Sequence, residues 1–495
     1  MTEQKSVMSG IGTMAALTIS SKLVRLVILM ITARFLTPQD FGVVAAFTMV
    51  YGFAYLLADI GIVRTIIQRP LISDKHIGSA LTLSFGLSVV IFFTLLFGSH
   101  YIAELLTIEK ISLPLKISGI MFLMIGVSNI CSALLQRNGD VVFIGKVQAF
   151  GTIAGNLFVT VPLLYFDLGY WAIIIGLWAA ELISVLFILQ RNWINLSYKL
   201  YKKEFVEIVK YASAFFFNNT LGMLSQQVDI AIVSRFMGSA ALGNYSRAMQ
   251  LVEFPNQIYW LVVDRVIFPL MSAMKSDKNK LIDFFLQSLS ILSFVLTLGT
   301  LALMIGSQEI VFLMMGDQWG MVGELLGILS GCIIFRALAS FIDSFLAAYD
   351  LVKILTIKQV LALLILSTSV WFGLDYGVTG IAYAVVIASV LQFSLTLTFI
   401  MIKTKVTFLQ LMNAFLPSVF SALFIFAIYS LIALFPLFVG LPGVLIAEVL
   451  FILLCIILPM KMLVSDNGVI LINQLKAKYL TRFTCVYTQK LNFKN

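Results

Sequence analysis

Apolar stretches of about 20 residues, long enough to cross roughly 30 Å of hydrocarbon, recur along the chain from Gly10 to Leu463. Short connections rich in charge, Gly and Pro separate them. The pattern predicts spans at 10–35, 42–68, 77–98, 113–136, 143–166, 170–190, 205–235, 242–271, 282–306, 321–348, 352–373, 379–402, 411–434 and 443–463, fourteen in all. Run length argues for helices, because a membrane strand needs only about 10 residues of alternating character. Pro38, Pro70, Pro436 and Pro442 stand between spans, whereas Pro162, Pro255 and Pro417 fall inside them and predict kinks. The opening segment Met1–Ser9 is short and polar, and no short apolar core with a small-residue cleavage site follows it. The stretch from Gly10 is therefore expected to be the first span and not a cleaved signal.

Lysine and arginine in the connections set the expected orientation. Fifteen of them, from Arg69 and Lys75 to Lys403 and Lys405, are counted to the even-numbered connections, with Lys146, Lys353 and Lys358 just inside the spans that follow, against Lys110 alone in the odd-numbered ones. Arg34 and Arg235 belong to span ends. This asymmetry puts both termini in the cytoplasm, including the basic tail, and its strict alternation supports the span count.

The spans also repeat. Arg34-Phe35-Leu36 followed by Phe41-Gly42 returns as Arg235-Phe236-Met237 followed by Leu242-Gly243, at a constant offset of 201. Ser132, Leu134 and Lys146 return as Ser344, Leu346 and Lys358 at an offset of 212, and Asp167-Leu168-Gly169 resembles Asp375-Tyr376-Gly377. The matches keep one order and one topological position, which predicts a duplicated six-helix unit. Six is even, so the copies share one orientation, as in transporters whose parallel repeats enclose the substrate site. The expected organisation is a first bundle over 1–198, a second over 199–408, an added helix pair over 409–463 and a basic tail over 464–495.

Composition narrows the class. The chain is 60% hydrophobic and 12% charged, with a formal net charge of +9. That excludes a soluble enzyme, a nucleic-acid binder and a disordered scaffold. Cys131, Cys332, Cys455 and Cys485 are scattered, with no CxxC or Cys/His spacing, so neither a disulfide framework nor a metal site is predicted. His76 and His100 are expected in loops on opposite sides of the membrane. No GxxxxGK[ST] loop is present, so no cofactor or nucleotide chemistry is expected and any transport must draw on a gradient.

Charge inside the spans is the informative chemistry. Lys22, Arg25, Arg64, Arg247, Arg265 and Arg336 stand against Asp59, Glu181, Asp229, Glu253, Asp264 and Asp343. Left unpaired in lipid these twelve groups would cost on the order of 30–40 kcal/mol, so they must face an interior. Lys22 and Arg25 share one face near the middle of the first span, a costly arrangement unless an anion joins them. Asn218, Gly222, Ser225 and Asp229 form one polar stripe, and the next span carries Arg247, Glu253, Asn256, Gln257, Asp264 and Arg265 around Pro255. One reading is a hydrated cationic cavity for a phosphate-bearing ligand, with Lys22, Arg25, Arg64 and Arg247 as its cations and Asn218, Gln227 and Gln257 as polar contacts. The other is that these charges stitch helices together, as Arg336 and Asp343 do if they pair on one face, or Asp264 and Arg265 as a solvated pair. Asp59, Asp229 and Glu253 are candidates to carry H+ or bind Na+.

The chain resembles the polysaccharide flippases of the Wzx type, within the superfamily that includes the multidrug MATE exporters and the lipid II flippases, and most resembles the colanic-acid and exopolysaccharide exporter branch. The resemblance rests on Asp40-Phe41-Gly42, Asp59-Ile60-Gly61, Ile66-Ile67-Gln68-Arg69, Gly243-Asn244-Tyr245-Ser246-Arg247-Ala248, Arg265-Val266-Ile267-Phe268-Pro269 and Met315-Gly316-Asp317-Gln318-Trp319. It implies a flippase that moves an undecaprenyl-pyrophosphate-linked oligosaccharide across the cytoplasmic membrane by alternating access of two six-helix bundles. Its partners would be that substrate, membrane lipids and the polysaccharide polymerase machinery, with H+ or Na+ as coupling ion and no nucleic acid. Lys22, Arg25, Arg64 and Arg247 are the positions that could face the pyrophosphate. The alternative on the same fold is a cation-coupled drug antiporter controlled by the acidic residues.

Overall fold

The computed structural model describes residues 2–191 and 199–432, with 446 and 449. The expected fourteenth span over 443–463 and the tail over 464–495 fall essentially outside the described residues. Among those residues every regular element is a helix: α1 (Thr2–Phe35), α2 (Pro38–Asp59), α3 (Ile62–Gln68), α4 (Asp74–Leu105), α5 (Ser112–Arg137), α6 (Val141–Ala154), α7 (Val161–Leu164), α8 (Tyr170–Arg191), α9 (Lys202–Val262), α10 (Phe268–Ala273), α11 (Lys278–Ile305), α12 (Ser307–Met315), α13 (Gly320–Ala348), α14 (Val352–Gly373), α15 (Gly377–Lys403) and α16 (Phe408–Ile432). Among the described residues nine segments are long and apolar enough to cross a membrane, one of them holding both α14 and α15. The protein is an all-α, multi-pass membrane protein.

The second expected span, 42–68, is broken. Ile60 (φ 36°) and Gly61 (φ 83°) are both left-handed, so α2 stops at Asp59 and α3 starts a new direction at Ile62. Asp59 Oδ1 accepts the Val63 N–H at 2.9 Å and satisfies a donor that the start of α3 leaves open. At the other end Arg137 donates to the carbonyls of Ile66 (2.7 Å), Arg69 (2.6 Å) and Pro70 (2.9 Å), closing the open acceptors there. Gly238 (φ 79°) interrupts α9 between the seventh and eighth expected spans. Two wider π turns, Gly155–Thr160 and Val263–Ile267, precede Pro162 and Pro269, where a proline ring would otherwise strike the preceding turn. His76 and His100 both lie within α4 and not in loops, because the helix starts at Asp74 and runs on past the apolar run to Leu105.

The chain forms two compact units, one of residues 1–250, 311–325 and 359–385 and the other of residues 251–310, 326–358 and 386–495. In the first, small residues let helices approach, as lipid-embedded packing requires. Gly126 sits against Ser84 and Ser88, with the Ser88 hydroxyl and the Ser84 carbonyl lying where a Cβ would reach, and the Ser84 hydroxyl donates to the Gly126 carbonyl at 2.8 Å. Gly155 and Gly176 meet backbone to backbone between α8 and the π turn after α6. Ile62, Ile66, Ala80, Leu81, Ile130, Ala133 and Ile208 form a buried cluster beneath α3.

Two matching hydrogen-bond sets tie the expected repeats together within this first unit. Gln318 Nε2 and Trp319 Nε1 donate to the Ala33 carbonyl at 2.7 and 2.8 Å. Thr107 Oγ1 donates to the Ser234 carbonyl at 3.0 Å, and Ser234 Oγ returns a bond to the Leu106 carbonyl at 3.1 Å. The acceptors Ala33 and Ser234 differ by the repeat offset of 201.

In the second unit, Phe285 stacks on Phe341 and Phe345 at 5.4 and 4.1 Å between centroids. Helix α16 packs on α11 through Ser418, whose hydroxyl donates to Ser293 Oγ at 2.6 Å.

Candidate functional site

Lys22 and Arg25 stand one turn apart on α1, Lys22 half-buried and Arg25 exposed. Their two positive charges act on one another across that turn. Arg64 projects from the short helix α3 and is exposed, with its charge acting on the Asp59 carboxylate across the α2–α3 elbow. That elbow is the local reason Arg64 and Asp59 are near one another: a straight helix would place them more than a turn apart.

Arg247 is placed differently. Its Cζ lies 4.6 Å above the centre of the Phe41 ring, and Phe41 meets Trp319 edge to face at 5.3 Å. A guanidinium over an aromatic face is stabilised by the ring quadrupole. The ring offers no hydrogen-bond acceptor, and Arg247 Nε is buried with no partner among the described residues. Such a donor is costly when left unmet, so the arrangement suits an incoming anionic oxygen.

The acidic candidates are already engaged. Asp59 caps α3. Asp229 is buried and accepts the Tyr245 hydroxyl at 2.6 Å. In the second unit Glu253 Oε1 lies 3.4 Å from Arg336 Nη1. Arg336 also donates to Ser389 Oγ, while Asp343 forms an ion pair with Lys358. Arg336 and Asp343 therefore each hold a partner on another helix and not one another: seven residues along a helix is about 10.5 Å, beyond ion-pair reach. Gln257, in the second unit, is exposed. Asn218 lies on α9, and its side chain is outside the described residues, as are those of Asp264 and Arg265. No group of His, Cys, Asp and Glu able to hold a metal occurs among the described residues.

Two groups of side chains carry no mark in the hydropathy pattern. On the face of the even-numbered connections, Arg69 forms an ion pair with Glu207, whose Oε2 also lies 3.4 Å from His76 Nε2. Inside the bilayer, Tyr55 donates to Asn129 Oδ1 at 3.1 Å, joining α2 to α5. The only signal for these in the sequence is a polar residue within an apolar run; the partner is set by packing.

Comparison with known proteins supplies the family. Residues 31–324 match the family described as "Polysaccharide biosynthesis protein". An "Uncharacterized membrane protein in cps region" of Klebsiella pneumoniae is 22% identical over 376 residues, covering 74% of this chain and 77% of that protein. The "Lipopolysaccharide biosynthesis protein WzxC" of Escherichia coli (strain K12) is 23% identical over 324 residues, covering 65% of this chain and 66% of that one. Among solved structures, a "Lipid II flippase MurJ, inward closed conformation" superposes with a TM-score of 0.69 at 16% identity, covering 88% of this chain and 98% of that chain. At that identity the last likeness speaks for the fold alone.

Proposed function

The chain belongs to the polysaccharide biosynthesis protein family, and from that premise we propose that it is a flippase for lipid-linked oligosaccharides. Its substrate would be an undecaprenyl-pyrophosphate-linked repeat unit, moved from the inner to the outer face of the cytoplasmic membrane for surface polysaccharide assembly. Both termini face the cytoplasm in this reading. The moving parts are bundles over 1–198 and 199–408, with the pair over 409–463 and the basic tail over 464–495 as additions. A polysaccharide polymerase takes the product on the outer face, and H+ or Na+ couples the cycle.

The observation that carries the proposal is Arg247, a guanidinium held over Phe41 with a buried N–H and no acceptor. Lys22, Arg25 and Arg64 supply further positive charge from α1 and α3. A pyrophosphate carries the oxygen that the Arg247 N–H lacks, and charge-assisted bonds in a low-dielectric site are the strong ones. Asn218 and Gln257 are assigned to the sugar. The competing antiporter reading would give control to Asp59, Asp229 and Glu253. Their existing bonds to Val63, Tyr245 and Arg336 support structural duties instead.

The test is a strain lacking the chain, in which lipid-linked oligosaccharides are quantified on each membrane face. Accumulation on the cytoplasmic face, reversed by the intact protein but not by Lys22→Ala with Arg25→Ala or by Arg247→Ala at equal membrane level, supports the proposal. Unchanged intermediates in a strain without a redundant flippase would reject it and favour antiport.

A further inference from the structure

Three helices of the first unit, α2, α5 and α8, turn matching faces toward one another. On α2, Phe47, Tyr51 and Tyr55 recur every four residues; on α5, Phe122 and Asn129 are two turns apart; on α8, Trp178 and Glu181 are one turn apart. These spacings each put the residues on one helix face. The faces meet as a ladder. Phe47 lies 6.4 Å from Trp178 and Tyr51 lies 5.0 Å from Phe122, ring centre to ring centre, and Tyr55 donates to Asn129 at 3.1 Å. The aromatic rungs thus pass into polar ones along the bilayer.

The polar end is incomplete. Asn129 is 9% exposed, and its Nδ2, a donor, is buried with no partner among the described residues. Glu181 sits near the middle of α8, one turn on from Trp178, whose ring meets Phe47 of α2, so it stands on the face that α8 turns toward Tyr51 and Tyr55. It makes no ion pair or hydrogen bond among the described residues. A carboxylate at that depth is expensive, and so is an amide N–H with no acceptor. A metal cation would satisfy Glu181 but not the amide donor, and an anion would do the reverse. A hydroxyl satisfies both, accepting from Asn129 Nδ2 and donating to Glu181. A pyranose ring adds polarised C–H bonds that lie against aromatic faces, and the Tyr55 ring, 40% exposed, presents one.

We propose that Tyr55, Asn129 and Glu181 form a sugar subsite in the first bundle that reads hydroxyl groups of the transported oligosaccharide, apart from the cations that face its pyrophosphate. The subsite rests on the flippase reading and adds to it a location for glycan recognition. Before substrate enters, water fills the same hydrogen-bonding role, and a sugar hydroxyl that reproduces those bonds replaces it without loss.

Purified protein in lipid nanodiscs is titrated with two probes, following tryptophan fluorescence, to which Trp178 on the same ladder contributes. One probe is bare undecaprenyl pyrophosphate; the other is the lipid-linked repeat unit extracted from cells lacking the chain. The intact protein should bind the glycosylated probe roughly tenfold more tightly than the bare one, the scale of one well-made buried hydrogen bond. Asn129→Ala, Glu181→Gln and the conservative Tyr55→Phe, which removes only a hydroxyl, should each erase that preference. Their affinity for the bare probe should stay at the wild-type value, which also reports that they fold. Preserved discrimination in all three variants would overturn the subsite. So would equal loss for both probes, the mark of a purely structural role, or an intact protein that binds both probes alike, the mark of a cluster that holds only water. An intact protein that binds neither probe would instead overturn the flippase reading beneath it.

Discussion

Gly42 and Gly243 face one another across a contact that admits no side chain: a Cβ on Gly42 would overlap the Ser239 carbonyl, and one on Gly243 would overlap the Pro38 carbonyl. Pro38 and Ser239 differ by the same 201 positions as Gly42 and Gly243. The contact is therefore reciprocal, residue to partner and partner back to residue, which is what a two-fold axis produces. The Ala33–Trp319 and Ser234–Thr107 bonds follow the same exchange. A duplicated unit whose copies share one orientation is related by such an axis along the membrane normal.

Gly42→Ala and Gly243→Ala should each destabilise the protein by about 1–3 kcal/mol, the usual cost of forcing atoms into a packed contact. The double variant should cost less than the sum, because opening the contact for one Cβ makes room for the other. Thermal unfolding in one detergent, on all three variants, checks this; full additivity would mean that the glycines are not packed on each other.

Much of this architecture is legible in the sequence. Helices α8 and α14 begin and end within a residue of the expected spans 170–190 and 352–373, since long apolar runs between charged connections leave little freedom. The offset of 201 between Arg34-Phe35 and Arg235-Phe236 is also the separation of Gly42 from Gly243 and of Pro38 from Ser239, which meet in the contact above. The elbow at Ile60-Gly61 escaped because hydropathy is blind to backbone sign, and Ile60 reads as apolar helix. Its trace was Asp59 before Gly61, a side chain able to take over a backbone donor. The partners of Arg336 and Asp343 were illegible for a different reason. One helix shows only its own face, while ion pairs form across helices whose register no single span reveals.

Tyr245→Phe should lower stability by about 1–3 kcal/mol, because Asp229 would keep its buried carboxylate and lose the hydroxyl that solvates it. Asp229→Asn should couple with it: the double variant should fall short of the summed losses by at least about 0.5 kcal/mol. A double-mutant cycle on thermal unfolding measures that term, and a value of zero would free Asp229 for another role.

Asp277, in the connection before α11, caps that helix by accepting the Lys280 N–H at 3.2 Å. That bond, followed by the Lys280 side chain, holds its carboxyl below the usual carboxylate range. The carboxylate form is thus favoured in the folded state, so its contribution is complete above the ordinary Asp value and fades as pH falls through the depressed one. Asp277→Ala should lower the unfolding temperature at neutral pH, Asp277→Asn should keep most of it, and the gap between wild type and alanine should shrink on acidification. A gap independent of pH would assign the effect to the backbone alone.

The two ion pairs of the second unit should differ sharply in weight. The Lys358 side chain is 10% exposed beside Asp343, whereas Arg336 and Glu253 are 25% and 41% exposed. Lys358→Met would strand the Asp343 carboxylate with no cation in a poorly solvated place, at a cost of about 3 kcal/mol. Adding Asp343→Leu should recover most of that loss, since an apolar pair of similar size does not need the desolvated charges. Glu253→Gln should cost about 1 kcal/mol, since the amide oxygen can still accept from Arg336, which also keeps its bond to Ser389 Oγ. The same series decides function as well as stability. If both pairs are stitching between helices, the Lys358→Met/Asp343→Leu protein should export polysaccharide at the wild-type level once it is stably in the membrane. Loss of export at full stability and full membrane level would move Lys358 and Asp343 from scaffold to transport pathway.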